Sequence, residues 1–400
     1  MSHKFYACFP FYILTLYMMS CNTHNEHKPG TFGYDLSFLQ AHDSIVVLRA
    51  GDACVIVSPK YQGKVFTSGA DGDSGKSFGW INYKAFTAKP DSHMNAYGGE
   101  NRLWLGPEGG PYSLFFKPGD SMVFNNWVTP AAFDSEPWTI VSKSTESVSL
   151  HKEMKLLNYA GTTLNIDVNR SVKILTDLEI QSMLACMNCT FNAVGYATDN
   201  SITNTGTSAW DSTTGMPCIW ILDMFTPSDH TTTIIPYNDS SGVKPATTDY
   251  FGEIPADRIR FSGTTLFFKA DGKSRGKLGI HPSRATNLAG SYDAEKNVLT
   301  ITMFDIENNA KYLNQEWKTD KPPFSGDAVN AYNDGPLAGG GQLGPFYELE
   351  SVSPPAFLQP GGSLIHTHSV FHFTGDEKDL NCIAQKVLGV SIEEIKKAFE

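Results

Sequence analysis

Short runs of β-forming residues recur along the chain from about residue 43, and turn sequences separate them. Residues 44–48, 164–168 and 298–302 are such runs, and residues 164–168 alternate apolar and polar side chains with the period of a half-buried strand. The sequence Lys117-Pro118-Gly119-Asp120 is typical of the intervening turns. Many short strands joined by regular turns predict an all-β sandwich or barrel.

Helical periodicity is found only near the C-terminus. Gly389 stands where a helix stop is expected, and Ser391 with Glu394 forms a capping box for a last short helix. The chain is therefore expected to end in short helices that pack on the sandwich. The apolar residues with helical spacing in the first of these helices are Leu380, Ile383, Ala384, Val387 and Leu388.

The first twenty residues have the layout of a secretory signal peptide. A short basic region precedes the apolar residues 5–19, and Ser20-Cys21 resembles a bacterial lipoprotein cleavage site. The sequence predicts a signal peptide over 1–20, a lipidated Cys21 and a flexible tether over 21–33. An ordinary signal peptide without lipidation is the alternative. The lipidated form would be anchored through Cys21 to a membrane of the cell envelope, in the periplasm or at the outer membrane.

The remaining chain is predicted to form one β-domain over 34–376, followed by the helices over 377–400. Cys54, Cys218 and Cys382 are interpreted as small buried side chains. Cys186 and Cys189 form a lone Cys-x-x-Cys motif. It is a redox or metal pair or, as the sequence favours, two core positions on or near a strand.

Charge and glycine patterning exclude two classes of partner. The formal net charge is −11, and nucleic-acid binding requires clustered Lys and Arg that this chain does not show. The glycine-rich residues 339–341 are not followed by the Lys-Ser/Thr of a phosphate loop, which excludes nucleotide binding. No cofactor is predicted.

The segment 97–110 concentrates the side chains best suited to a sugar. Glycines on both sides permit sharp turns and close backbone approach. A guanidinium donates to hydroxyls in a fixed fork, an indole face packs on the apolar face of a pyranose, and a carboxylate accepts from hydroxyls. A structural Arg–carboxylate pair beside a core Trp is the alternative. The predicted substrate-binding residues, in this segment and elsewhere, are Arg102, Trp104, Glu108, Asn95 and Trp317.

Three stretches in this order resemble galactose-mutarotase-like (aldose 1-epimerase-like) proteins, and the closest resemblance is to secreted bacterial lipoproteins of that superfamily. They are GGENRLWLGPEGG (98–110), SITNTGTSAW (201–210) and YELESVSPPAFLQPGGSL (347–364). The resemblance extends over roughly residues 35–375. It implies an all-β, large antiparallel super-sandwich whose concave face binds a mono- or oligosaccharide.

The resemblance also implies a Glu general base that is followed by Pro, and Glu350 matches it. Glu348 lies two residues earlier and therefore shares its strand face. Two close carboxylates raise one pKa towards the range that suits proton transfer at neutral pH, although a solvated pair on an outer face is the alternative. The family's acid His is absent from residues 215–222, and His281 is the candidate replacement.

His366, His368 and His372 fall on one face of a predicted strand, because residues two apart point the same way. His366 and His368 could ligate one metal ion. Hydrogen-bonded strand residues or sugar contacts are the favoured interpretation, since His372 lies about 13 Å from His368 at the rise of a strand.

Two functions from different classes follow. The first is a carbohydrate-binding lipoprotein that acts as a sugar epimerase or mutarotase, with Glu350 as base. The second is a non-catalytic glycan-binding protein in sugar uptake, which the missing His favours. A polysaccharide lyase or glycoside hydrolase on the same fold is a weaker third, because a fold alone does not determine chemistry.

Overall fold

The computed structural model describes residues 1–4, 27–239, 242–337 and 339–400. This part of the chain contains eighteen β-strands and four α-helices. The strands are β1 (Val46–Ala50), β2 (Ala53–Ser58), β3 (Lys64–Gly69), β4 (Arg102–Gly106), β5 (Thr139–Lys143), β6 (Ser147–Leu157), β7 (Thr163–Ile174), β8 (Asn192–Asn204), β9 (Cys218–Phe225), β10 (Thr231–Pro236), β11 (Ile259–Ser262), β12 (Thr265–Lys269), β13 (Gly276–Ile280), β14 (Leu288–Asp293), β15 (Val298–Phe304), β16 (Val329–Asn333), β17 (Tyr347–Val352) and β18 (Ser363–Thr374).

The helices are short. The α-helices are α1 (Phe32–Gln40), α2 (Asp177–Met183), α3 (Glu377–Ile383), which continues into a π-helical turn (Ala384–Leu388), and α4 (Ile392–Lys396). The 3-10 turns are Gly72–Ser74, Tyr83–Phe86, Phe124–Asn126, Ala131–Phe133 and Lys397–Phe399.

Every strand pair is antiparallel, and the strands form three sheets. A ten-stranded sheet has the order β11-β12-β10-β14-β15-β18-β8-β7-β6-β5, and a five-stranded sheet has the order β13-β16-β17-β9-β4. The third sheet is β1-β2-β3. The predicted all-β antiparallel sandwich with short C-terminal helices is therefore confirmed.

The main hydrophobic core lies between the ten-stranded and five-stranded sheets. Val168 and Val370 from the larger sheet share one buried cluster with Ile221 and Leu349 from the smaller sheet. Alternate residues of β18 point the other way, so that Phe371 packs in a second cluster with the C-terminal helices. The larger sheet is thus covered on both faces.

The C-terminal helices form as the sequence predicts. Gly389 adopts the left-handed conformation, with φ of 74°, and ends the first helical segment. Ser391 and Glu394 make the reciprocal capping box at the start of α4. Leu380 and Ile395 are buried against the outer face of the ten-stranded sheet. These helices therefore complete the core.

The prediction that helix occurs only at the C-terminus is wrong. Helix α1 begins after Thr31, whose side chain accepts a hydrogen bond from the Tyr34 backbone, and fully buried Phe32 packs it against the three-stranded sheet. Helix α2 begins with a capping box formed by Thr176 and Glu179. Both helices have fewer than ten residues, so tertiary burial and capping stabilise them without a long periodic pattern.

One disulfide corrects the interpretation of the cysteines. Cys189 bonds to Cys382 of α3, with their Cα atoms 5.9 Å apart, so neither residue is a simple buried thiol. Cys54, Cys186 and Cys218 are free and buried, as expected. The bonded cysteines are separated by 193 in sequence number, which explains why local sequence patterns gave no sign of the pairing.

Residues 5–26, which include most of the predicted signal peptide and the lipidation site Cys21, lie outside the described residues. In the part that is described, no helix combines the length and the apolar character needed to cross a bilayer.

We predict that Cys382→Ala lowers the free energy of unfolding by about 2–5 kcal/mol, because the disulfide restricts a long loop of the unfolded chain. Urea denaturation without reductant measures this change. Cys186→Ala alters a free thiol in the same hydrophobic cluster and is the matched control, with a smaller expected cost. Equal costs for the two substitutions would contradict a stabilising role for the disulfide.

Candidate functional site

The outer face of the five-stranded sheet carries the candidate site. Its strands alternate apolar residues towards the core with polar and aromatic residues on the opposite face. Leu349 and Ile221, for example, belong to the core, whereas their strand neighbours line a cavity. The outward-facing set is Arg102 and Trp104 on β4, Trp220, Leu222 and Met224 on β9, Lys277 on β13, Tyr332 on β16, and Glu348 and Glu350 on β17.

The register of the sheet brings residues that are distant in sequence together. Leu222 pairs with Arg102 on one side and with Glu350 on the other. Tyr332 pairs with Glu348 on one side and with Lys277 on the other. Because paired residues lie on the same face, the register places the charged side chains of β4, β13 and β17 next to one another.

Loops around the sheet complete a cavity of about 870 Å³, its open mouth included. The space that the centre of a water molecule can reach is about 180 Å³, which is smaller than the roughly 300–1,000 Å³ of drug-sized ligand sites. The loop residues that line it are Asp91, His93, Met94, Glu108, Phe124, Trp127, Phe251, Arg275, Trp317, Leu343 and Phe346.

The first buried ion pair in the cavity joins Arg102 and Glu348. The Arg102 guanidinium donates to Oε1 of Glu348, and both side chains are largely buried. The guanidinium also lies 5.2 Å from the centre of the Trp104 ring, within the range of a cation–π interaction. Burial raises the pKa of Glu348, Arg102 opposes this rise, and the nearby Glu350 charge adds to it.

The second buried ion pair joins Lys277 and Glu350. Lys277 Nζ donates to both carboxylate oxygens, at 2.8 and 3.0 Å, and Trp220 Nε1 donates to Oε2 at 2.8 Å. The ammonium lies 4.8 Å from the centre of the Trp220 ring. Three hydrogen bonds from two donor groups therefore reach a carboxylate that is only 1 % exposed.

Glu108 lines the cavity opposite these pairs and belongs to neither of them. Gln315 accepts a 3.1 Å hydrogen bond from the Glu108 backbone N–H, and Ser113 donates to the Glu108 carbonyl. Burial raises the pKa of Glu108 to about 6, Lys277 lowers it and Glu350 raises it. Burial therefore brings the pKa of Glu108 closer to neutral pH than that of an exposed carboxyl.

Indole rings supply most of the apolar lining. Trp127 stacks on Trp317 with ring centres 5.9 Å apart, and Trp104 meets Trp220 edge-on at 5.7 Å. The Trp127 indole N–H is buried without a well-aligned hydrogen bond, but it lies close enough to the Glu108 carboxyl to lower its pKa, as does the Trp317 indole. Flat apolar faces beside polar groups suit a ligand that has both a hydrocarbon face and hydroxyl groups.

Six of the residues singled out from the sequence line this single cavity. They are Arg102, Trp104, Glu108, Trp317, Glu348 and Glu350. The alternative interpretation of Arg102 is also realised, because it forms an Arg–carboxylate pair with Glu348 beside Trp104. Ion pairing and cavity lining are properties of the same side chain.

Two of the predicted site residues lie elsewhere. Asn95 does not line the cavity, because its backbone and side-chain N–H groups bind the carboxylate of Asp134 and fix the neighbouring loop. His281 is exposed and contacts Ser283. It comes four residues after Lys277, which corresponds to about 13 Å along a strand, so the geometry does not support His281 as the acid.

The three histidines of β18 face the sandwich interior and not the cavity. His366 and His368 both contact Ser351 Oγ at 2.8 Å, and His368 also contacts Asp223 at 2.6 Å. His372 contacts Glu100 at 3.1 Å. These side chains therefore act as hydrogen-bonded strand residues, which is the interpretation that the sequence favoured over metal ligation.

Sequence reasoning missed several cavity residues. Lys277 and Arg275 lie in a glycine-rich stretch without a clear strand pattern, and Trp220 lies in a strand with buried residues on both faces. His93 lies on a loop, where it contacts the Trp127 carbonyl at 2.5 Å and stacks on Phe124. Only the alternation of Arg275 and Lys277 could have indicated that they share a face.

Comparisons with known proteins agree with this fold. A model of a family described as "Family of unknown function (DUF6786)" matches residues 30–399. Among curated proteins, no sequence matches this chain significantly.

Two bacterial proteins are among the solved structures that are similar to this one. A candidate aldose 1-epimerase from Escherichia coli K12 is 14% identical with a TM-score of 0.50, and the match covers 82% of this chain and 98% of that protein. The Slr1438 protein from Synechocystis sp. PCC 6803 is 14% identical with a TM-score of 0.51, and the match covers 83% of this chain and 96% of that protein. The resemblance in fold to aldose 1-epimerase and galactose-mutarotase-like proteins is therefore confirmed.

We predict that Lys277→Met lowers the free energy of unfolding by about 3 kcal/mol, because it leaves the Glu350 carboxylate buried without its cation. The double substitution Lys277→Met with Glu350→Gln should recover much of this loss, since it also removes the buried charge. Urea denaturation of the single and double variants measures the coupling. The exposed Lys273→Met is the control and should change stability little. Strictly additive effects at the two positions would contradict the ion pair.

Proposed function

Because the chain belongs to the DUF6786 family and has the aldose 1-epimerase fold, we propose that it binds a saccharide and interconverts the anomers of that sugar. The observation that carries this proposal is the arrangement of carboxyl groups in one cavity. Glu350, which accepts hydrogen bonds from Lys277 and Trp220, and Glu108, with its raised pKa, both line a space walled by indole rings.

Sugar binding is supported by the chemistry of the lining. The indole faces of Trp104 and Trp220 offer apolar contact to the C–H groups of a pyranose. Arg102 and Lys277 offer N–H donors to hydroxyl groups, and the carboxylates that pair with them offer acceptors. The fold alone does not establish this ligand.

Anomer exchange needs a base and an acid in one cavity. We assign Glu350 as the base that removes the proton of the anomeric hydroxyl, so that the bond between the anomeric carbon and the ring oxygen breaks. Glu108 protonates the ring oxygen that leaves, which gives the open-chain aldehyde. Rotation of the aldehyde and reversal of both proton transfers close the ring with the opposite configuration, and both carboxyl groups return to their starting states.

Glu108 suits the role of acid better than the other carboxyl groups do. Glu348 and Glu350 each form an ion pair with a cation in contact. Burial also raises the pKa of Glu348, but its carboxyl is engaged by the Arg102 guanidinium. Glu108 carries no such ion pair among the described residues, and its pKa is raised to about 6. A carboxyl of this kind can give and take a proton near neutral pH, which fills the place of the missing histidine.

Non-catalytic glycan binding is the second candidate function. The observation that favours it is that both carboxylates of β17 are already neutralised by Arg102 and Lys277. Charge-paired side chains can serve as hydrogen-bonding groups for hydroxyls without any proton transfer. In this case the protein would take part in sugar uptake.

For location, we propose a lipid-anchored protein of the cell envelope, with Cys21 as the lipidated residue. The leader sequence supports this proposal. The disulfide between Cys189 and Cys382 is consistent with it, because disulfides persist in oxidising compartments outside the cytoplasm.

We predict that the protein accelerates anomer exchange of an aldose and that Glu350→Gln reduces the rate by at least about 100-fold, as expected for loss of a general base. Exchange spectroscopy by NMR on anomeric protons measures the rate. Glu153→Gln, an exposed carboxylate on the opposite sheet, is the control and should keep the full rate. Sugar binding without any acceleration by the unmodified protein would favour the second candidate.

The pH dependence tests Glu108. Since the acid form is required and the pKa of Glu108 is raised to about 6, the rate of ring opening should fall as pH rises through about 6. Glu108→Gln should slow exchange and remove this decline, because an amide does not titrate. Rate profiles between pH 5 and 8 (about the range in which such a carboxyl titrates) measure the effect. An unchanged decline in Glu108→Gln would exclude Glu108 as the acid.

A further inference from the structure

We propose that Arg275 selects a sugar that carries a carboxylate, so that the preferred ligand is a uronic acid or a chain containing one. This inference deepens the proposed function and rests on it. Three cations line the cavity, namely Arg102, Lys277 and Arg275. The surroundings of Arg275 differ from those of the other two.

Arg275 lies at the junction of two hollows. It comes two residues before Lys277 and therefore shares its face of the sheet. It lines the main cavity and also an adjoining hollow that Tyr250, Glu316 and Lys318 border. A group bound to its guanidinium would therefore lie at the outer end of a sugar seated on the indole rings.

The orientation of the guanidinium is fixed on two sides. Its central carbon lies 3.8 Å from the centre of the Phe251 ring, which is a close stacking contact. Its Nε donates a 3.3 Å hydrogen bond to the Tyr332 hydroxyl, which in turn donates to Asp334 at 2.7 Å. These contacts use one face and one edge of the group and leave the two Nη atoms for a ligand.

The guanidinium of Arg275 is solvent-exposed and reaches a carboxylate only indirectly, through the Tyr332 hydroxyl that donates to Asp334. Arg102 contacts Glu348 and Lys277 contacts Glu350, whereas Arg275 has no carboxylate within 4.0 Å among the described residues. Arg275 is therefore the cation of the cavity that is free to pair with an anion.

A carboxylate fits this position better than a phosphate does. The two Nη atoms of one guanidinium match the two oxygens of a carboxylate in a bidentate pair. A dianionic phosphate would need more positive charge than one guanidinium supplies. Asp91 and Glu108 also line the cavity, and Asp334 borders the adjoining hollow, so a second negative charge on the ligand would be repelled.

The mouth of the cavity strengthens such a pair. Phe124, Phe251 and Leu343 line it and remain 59%, 41% and 48% exposed. A bound sugar would cover these apolar side chains and exclude water from the guanidinium. Ion pairs gain strength when water is excluded, so recognition of the carboxylate and burial of the rim support each other.

Matched sugars test this inference. Affinities of the full chain for glucuronate and glucose, and for galacturonate and galactose, are measured by calorimetry at pH 7, where the sugar carboxyl is ionised. The acidic member of a pair should bind about tenfold or more tightly, as expected for a charge-assisted bidentate contact. Added salt should reduce this preference.

Variants assign the preference to Arg275. Arg275→Gln should abolish the preference by lowering the affinity for the acidic sugar to that for the neutral one. Lys273→Gln, two residues away and paired with Asp229 outside the cavity, should keep the preference. Circular dichroism checks that both variants are folded.

The outcomes separate this inference from the proposed function. Equal binding of neutral and acidic sugars by the unmodified chain, or a preference that survives Arg275→Gln, overturns the role of Arg275 and leaves the saccharide site intact. Failure of both members of both pairs to bind contradicts the saccharide site itself, and the role of Arg275 falls with it.

Discussion

Two buried ion pairs on one face of the five-stranded sheet determine what this cavity can do. Arg102 with Glu348 and Lys277 with Glu350 place four charged groups in a largely dehydrated space. Isolated charges there would cost several kcal/mol each, so each pair depends on the register that joins β4, β9, β17, β16 and β13. A shift of β17 by one residue would turn its charged side chains towards the core and break both ion pairs. The site therefore requires this register.

The opposite face of the same strands explains how that register is held. Asn101 donates to Asp223 at 2.7 Å, and Asp223 contacts His368 of the ten-stranded sheet at 2.6 Å. Arg170, which is 1% exposed, contacts Asn101 and Asn200. These buried polar contacts join the two sheets at specific residues, whereas apolar packing alone is less selective about register. The interior network thus positions the strands whose outer faces form the cavity.

The sequence predicts the fold class and part of the site for identifiable reasons. Alternation places Glu348 and Glu350 on one face, and the three family-like stretches order the strands that carry Arg102 and Glu350. It does not predict that Lys277 reaches Glu350, since the two residues are 73 positions apart and the contact exists only through the pairing of β16. Trp220 is hidden for another reason: every residue of β9 is buried, so no polar alternation marks its outward face.

A crystal structure with a monosaccharide bound at saturating concentration tests the central claim most directly. The claim is that the outer face of the five-stranded sheet is the saccharide site. It predicts electron density for the sugar ring against the indoles of Trp104 and Trp220, with a hydroxyl at hydrogen-bonding distance from Glu350. A sugar bound only at another surface, or a cavity that stays empty under those conditions, would contradict it.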